Sequence, residues 1–253
     1  MSNPFSTAAM AAGYATARPL VHPRVVAMLS EWRRGRVENA ADIGCGAGAS
    51  TRALLDVADR CLGFDPSESM IRAARGVSTT AQFVVASAEA MPLASQTVDL
   101  LTAAGSLNYV DALDVVWAEA RRVLTRTGTL AVYDFSPGRS FACGPELDEW
   151  FDAFVARYPY PRSRARQLSP EILEEIADDF TIDRAEAFDL SLPMTCEAYA
   201  SYVLTGTNVH AAVSAGVALD RVRSWCTATL AAVFGGRVQN VSFRGYLACL
   251  IPV

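Results

Sequence analysis

The sequence contains no lysine. All 22 of its basic residues are arginine, so any mechanism that needs a catalytic lysine is excluded. Histidine is nearly as scarce, with only His22 and His210. The six cysteines, Cys45, Cys61, Cys143, Cys196, Cys226 and Cys249, form no CxxC pair. No metal site is therefore expected, and scattered thiols of this kind suit a reducing, cytoplasmic setting. There is no run of basic residues, and the net charge is -5, which argues against a nucleic-acid surface. No uncharged apolar stretch reaches the ~18 residues of a membrane span. The opening "MSNPFSTAAMAAGYATARP" has neither a basic n-region nor a continuous apolar core, so a signal peptide is not expected. What remains is a chain without nucleic-acid or membrane partners, either a monomer or a homodimer.

What is present is hydrophobic and regularly punctuated. The 253 residues are 51% hydrophobic, enough for one large α/β domain or a domain with an insertion. Apolar runs of strand length alternate with helical patterns. "ENAADI" leads into glycines and a helix from about Ala49 to Val57. "RCLGFD" reads as the second strand and "SESMIRAAR" as a helix capped by Ser67, with Met70, Ile71 and Ala74 at helical spacing. "AQFVVA", "TVDLLTAAG" and "GTLAVYDF" supply three more strands, and "ALDVVWAEARRVL" an amphipathic helix. This alternation predicts a doubly wound, mostly parallel sheet, an α/β fold. After Asp134 the texture changes to Pro, Gly and Arg around a short helix, "ELDEWFDAFVARY". Ser169 caps a further helix with Pro170 at its first position. "TIDRAEAFDLSL" and "RVQNVSFRGYLACLIPV" alternate like strands, and residues 193–236 between them are helical in pattern.

The chemistry centres on "NAADIGCGAGAST", residues 39–51. A glycine-rich turn between a strand and a helix lets a ligand touch backbone N–H groups. Gly44, Gly46 and Gly48 also satisfy the degenerate dinucleotide fingerprint, so two cofactor classes compete. Asp42 favours a ligand with a positive group, because a carboxylate beside the turn repels a pyrophosphate. Asp65 lies 21 residues after Gly44, where an acid can accept both hydroxyls of a ribose in either class. The absent lysine removes the Tyr–Lys pair of short-chain dehydrogenases.

"AADIGCGAGAST", "CLGFDPSESMIRAAR", "FVVASAEAMPLASQTVDLLTAAGSLNYV" and "EARRVLTRTGTLAVYDF" resemble, in order and spacing, the successive motifs of class I S-adenosylmethionine-dependent methyltransferases. "YATARPLVHP" is similar to the opening of their small-molecule members. The resemblance implies a seven-stranded Rossmann-like sheet, S-adenosylmethionine as cofactor, S-adenosylhomocysteine as product, and no metal. It makes residues 1–253 a single methyltransferase domain, with a helical lid at 1–36 and a helical insertion at 193–236 covering the acceptor. It assigns Gly44, Gly46 and Gly48 to the methionine part of the cofactor, Asp42 to its amino group and Asp65 to the ribose. Pro66, Ser67 and Met70 would line the adenine, although Met70 at helical spacing also reads as core. Ser87, Ala88 and Glu89 would face the adenine edge, with Ser87 where many relatives carry Asp. Ala104, Gly105 and Ser106 would face the methyl donor. Tyr14 and Arg18 would close over the cofactor, with Arg18 near its carboxylate.

Methyl transfer from a sulfonium asks mainly for aim and exclusion of water, so acceptor residues are harder to read. Ligands of open α/β sheets bind at the carboxyl ends of strands. That brings in Asn108 and Tyr109 after the fourth strand, and Tyr133 and Asp134 at the end of the fifth. "SLNYV" lacks the prolines of the Asn-Pro-Pro-Tyr motif of nucleic-acid amino methylation. Tyr199, Tyr202, Asn208 and His210 of the insertion suit a lid over a small organic acceptor, and equally a helical pair packing on itself. His210 and Tyr109 are the candidate catalytic residues, with His210 able to take a proton as neutral imidazole; an ordinary packed or helix-surface histidine is the other reading.

Overall fold

The computed structural model describes residues 8–33, 35–78, 80–162 and 165–253. Along the chain run α1 (Ala8–Ala17), α2 (Val21–Arg33), β1 (Val37–Ile43), α3 (Ala49–Leu54), β2 (Ala58–Asp65), α4 (Glu68–Val77), β3 (Gln82–Val85) and β4 (Val98–Ala104). A 3-10 turn (Leu107–Tyr109) precedes α5 (Leu113–Val123), β5 (Leu124–Phe135), β6 (Ser140–Phe141), α6 (Glu146–Arg157) and α7 (Pro170–Ile176). Then follow β7 (Phe180–Met194), α8 (Cys196–Val203), α9 (Thr207–Ser214), α10 (Leu219–Phe234) and β8 (Gln239–Pro252). Among the described residues no helix is long and apolar enough to cross a membrane.

The strands are ordered β3-β2-β1-β4-β5-β8-β6, with β7 also paired to β8. β1, β2, β3, β4 and β5 pair in parallel, and β8 is antiparallel to β5. The sheet therefore has eight strands rather than the expected seven. The extra one, β6, is two residues long and lies in the Pro- and Gly-rich "SPGRSF" stretch, too short to show a period of two.

The chain divides into two compact units. One holds residues 22–135, 164–188 and 245–253 and contains the parallel strands. β1, β4 and β5 are almost wholly buried at their carboxyl halves, as strands covered on both faces must be. α5 turns Leu113, Val116, Trp117, Ala120 and Val123 inward, the i, i+3, i+4, i+7 stripe of an amphipathic helix. They join Ile43, Phe64, Leu101 and Leu130 in the core. Ser67 caps α4 by accepting from the Met70 amide at 3.4 Å, and Ser169 caps α7 the same way through Ile172.

The other unit holds residues up to 21, 136–163 and 189–244. The predicted helical insertion is present as α8, α9 and α10, but it is not a separate element. It packs with α1, α6 and β6 of the same unit. Trp150 stacks on Phe154 with centroids 5.2 Å apart, and Trp225 and Tyr199 extend the cluster. The Trp150 indole N–H donates to Thr229 Oγ1 at 2.8 Å. Aromatic faces this large dominate the energetics of a small core. Of the expected N-terminal lid, residues 1–7 lie outside the described residues, and α1 and α2 make up most of the rest.

Candidate functional site

β1 ends in a turn whose three glycines all have positive φ, +64° at Gly44, +52° at Gly46 and +84° at Gly48. They are needed for different reasons. A Cβ on Gly44 would run into Ser106, and one on Gly48 would come within 2.8 Å of the Phe83 ring. A Cβ on Gly46 would meet nothing within 4 Å. The outer glycines let the protein pack on itself, and the middle one presents backbone to open space.

Asp65, at the end of β2, is tied to that same glycine. Its Oδ2 accepts the Gly46 amide at 3.0 Å, and its Oδ1 accepts the Ser67 amide at 2.8 Å. Burial raises its carboxyl above the usual range, and the two backbone bonds offset this in part. Each oxygen of an ionised carboxylate has about two acceptor positions, so capacity remains for a ligand diol. The Ala86 amide donates to the Asp65 carbonyl at 3.2 Å. That bond brings the segment of Ser87, Ala88 and Glu89 to the end of β2, where Pro66 is exposed. Ser106 Oγ donates to the Ile43 carbonyl at 2.6 Å, drawing Ala104, Gly105 and Ser106 against the glycine turn. An open glycine backbone next to a strand-end acid fits the methionine and ribose parts of the expected cofactor.

Several expected contacts are corrected. Asp42 is fully buried. Its Oδ2 accepts from Ser50 Oγ at 2.5 Å and Thr51 Oγ1 at 2.7 Å, and its Oδ1 from Thr102 Oγ1 at 2.8 Å. The carboxylate braces α3 and β4 against β1 instead of facing a ligand. Its carboxyl is raised, chiefly by burial, with the three hydroxyls opposing. Met70 is 1% exposed and belongs to the core. Ser67 is buried, and its hydroxyl is engaged in the α4 cap. Tyr133, expected at the acceptor, is fully buried and its hydroxyl meets His22 Nδ1 at 2.8 Å. His22 lies in the first turn of α2. Only the fold could reveal that pair, since 111 residues separate its members.

Asp134, the other residue at the end of β5, turns toward the β4 turn. Its Oδ2 accepts from Asn108 Nδ2 at 2.7 Å and its Oδ1 from the Phe135 amide at 2.8 Å. Tyr109 is half exposed on the 3-10 turn beside Asn108.

In the other unit, Arg18 lies over the rings of Tyr14 and Tyr202, 4.8 Å and 5.2 Å from their centroids. Tyr202 is buried there. Tyr199 is fully buried, its hydroxyl donating to the Gly138 carbonyl at 2.6 Å. Asn208 is also fully buried and donates to the Tyr158 carbonyl at 3.0 Å. Tyr199, Tyr202 and Asn208 thus build the helical core, where they were expected to line the acceptor. His210 is half-buried on α9. Among the described residues no group of three or more His, Cys, Asp or Glu could hold a metal ion.

The family described as "Methyltransferase domain" matches residues 41–132, from the glycine turn through most of β5. An uncharacterized methyltransferase of Mycobacterium avium is 36% identical over 112 residues, 42% of this chain and 44% of that protein. The match spans less than half the length of the curated relatives it reaches first. In structure, the chain is similar to a protein described as a type II methyltransferase from Anaeromyxobacter dehalogenans. The TM-score is 0.68 at 22% identity, over 91% of this chain and 97% of that one. It is also similar to phosphoethanolamine N-methyltransferase 2 of Haemonchus contortus, solved with phosphomonomethylethanolamine and S-adenosylhomocysteine. There the TM-score is 0.51 at 17% identity, over 91% of this chain and 52% of that one.

Proposed function

We propose, from the match of residues 41–132 to a methyltransferase domain, that the chain is a class I S-adenosylmethionine-dependent enzyme and transfers a methyl group to a small organic acceptor. The observation that carries this reading is the pairing of Gly46 with Asp65. One residue offers an open backbone, and the other is fixed to its amide by a 3.0 Å hydrogen bond.

The bound cofactor supplies a methyl group already activated on a sulfonium. The chain's own task is binding and aim. Gly44, Gly46 and Gly48 admit the methionine part, and Asp65 accepts from the ribose hydroxyls. Pro66, Ser87, Ala88 and Glu89 border the adenine, and Ala104, Gly105 and Ser106 border the reacting end. Tyr14 and Arg18 supply a cation held over aromatic rings, suited to a carboxylate. Asn108 and Tyr109 contact the acceptor, and where a proton must leave, the candidate base that the sequence offers is His210. Relatives that methylate carbon and oxygen acceptors carry names such as the ubiquinone/menaquinone C-methyltransferase UbiE and the malonyl-[acyl-carrier protein] O-methyltransferase. They support a metabolite acceptor in place of a nucleic acid. The chain would act without a membrane or nucleic-acid partner, in the cytoplasm, as a monomer or homodimer.

Titration with S-adenosylmethionine and NAD, followed by S-adenosylhomocysteine release over a metabolite panel, tests the reading. Binding of NAD alone would overturn it. Tight cofactor binding with no turnover on any acceptor would favour a cofactor-binding regulator.

A further inference from the structure

The end of β5 carries a carboxylate whose placement the motifs do not explain. Asp134 is held at both oxygens, by Asn108 Nδ2 at 2.7 Å and the Phe135 amide at 2.8 Å. The Arg166 amide, donating to the Asn108 carbonyl at 2.9 Å, fixes Asn108 in turn. The carboxylate lies over the β4 turn, since a Cβ on Gly105 would come within 2.8 Å of its Oδ1. Gly105 itself is anchored by its amide to the Tyr133 carbonyl at 2.8 Å. Its neighbour Ser106 is packed so tightly on Gly44 that no side chain fits between them. A continuous line of contact therefore runs from the glycine turn of β1, through Ser106 and Gly105, to Asp134. Across the strand pair, Tyr246 stands directly opposite Asp134, on the same face of the sheet. Its hydroxyl is buried without a hydrogen-bond partner. A half-buried carboxylate fixed by hydrogen bonds is an electrostatic element, because it meets a ligand's charge without having to reorganise.

We infer that Asp134, positioned by Asn108, faces the reacting end of the cofactor and reads its charge, favouring the sulfonium over the neutral thioether left after transfer. The inference rests on the cofactor reading above. Methyl transfer removes the positive charge next to Asp134, so the same carboxylate that helps hold the substrate form releases the product form. Toward the cofactor's charge Asn108 acts through Asp134, as a positioning residue.

Binding calorimetry can test this without a known acceptor. The probes are S-adenosylmethionine, S-adenosylhomocysteine and sinefungin, an analogue with an ammonium group in place of the methylated sulfur. Wild type should bind sinefungin about tenfold or more tighter than S-adenosylhomocysteine, the scale of one charge-assisted contact. Asp134→Asn should weaken S-adenosylmethionine and sinefungin about tenfold while S-adenosylhomocysteine stays within twofold. Asn108→Ala, which keeps the charge but frees one oxygen, should lower the preference by a smaller factor. It also carries the test if Asp134→Asn does not fold. An unchanged preference in these variants, with all three ligands still bound, would overturn the role of Asp134 and leave the cofactor reading standing. Failure of every probe to bind wild type would overturn both.

Discussion

Replacing Asp65 separates its bracing of the turn from its proposed hold on a ribose. In the Asp65→Ala protein the Gly46 and Ser67 amides lose their acceptors, at 3.0 Å and 2.8 Å. Both lie at the edge of the site, where water can replace the carboxylate, so folding should lose only about 1–2 kcal/mol. Ligand binding loses more. A hydrogen bond to a charged group is worth about 1.5–3 kcal/mol, which is about 10- to 150-fold in affinity if a single ribose bond is counted. Asp65→Asn keeps one carbonyl oxygen and should fall between wild type and alanine. Acid adds a second signature. Burial raises the Asp65 carboxyl, and the neutral acid form loses charge-assisted acceptance. S-adenosylmethionine affinity should therefore decline as pH falls through that raised value, while Asp65→Asn stays flat. Calorimetry and thermal melting measured together decide the matter. A folded Asp65→Ala protein of lower Tm that binds S-adenosylmethionine as wild type does would reduce Asp65 to a brace for the turn.

Other residues give sharp expectations. Asp42→Ala strands the buried Ser50 and Thr51 hydroxyls and leaves Thr102 only the Ala41 carbonyl at 3.3 Å, and should cost about 2 kcal/mol or more, whereas Asp42→Asn can rejoin them and should stay within about 1 kcal/mol; urea unfolding measures both. Because the Asp42 carboxyl is raised by burial, its contribution to stability falls as pH climbs from the unfolded value of about 3.9 through the raised folded one. Asp42→Asn should therefore compare best with wild type at neutral pH and lose ground in acid; a difference that does not vary with pH would refute this. Gly48→Ala should lower stability by about 1–3 kcal/mol through its clash with Phe83 and its positive φ, while Gly46→Ala should cost about 1 kcal/mol of stability and weaken S-adenosylmethionine binding. His210→Ala should lower turnover about 100-fold with cofactor affinity unchanged; turnover within twofold of wild type would remove the imidazole from the chemistry.

The parallel half of the fold was legible because its signals are local. Ser67 and Ser169 cap the helices they were expected to cap, and α5 buries its predicted stripe. The glycine turn and Asp65 were legible for the same reason, since a strand end, a turn and a helix start are adjacent in sequence. Asp42 was misread because its partners are spread over residues 50, 51 and 102. A strand pattern shows that a residue is near a turn but not which way its side chain points. Tyr199 and Asn208 failed differently. Aromatic and amide residues in a helical insertion look the same whether they line a ligand or satisfy a small core, and here they bond to the carbonyls of Gly138 and Tyr158.

This contrast bears on where acceptor specificity resides. The proposed transfer from a sulfonium needs no elaborate proton apparatus, so on that reading the residues that matter most are those that fix charge and direction at the reacting end. In the parallel unit those positions are few. Tyr133 is turned away to His22, and Ala104 and Gly105 offer only backbone and a methyl group. Asn108, Tyr109 and Asp134 are the polar side chains that the ends of β4 and β5 present, and two of them are bonded to each other. Substitutions at Tyr109, which is 55% exposed, should alter acceptor choice on the proposed reading. Substitutions at Asn108 or Asp134 should change the balance between substrate and product forms of the cofactor, whatever the acceptor. A Tyr109 series that shifts product inhibition, or an Asp134 series that leaves it untouched, would reverse that division of labour.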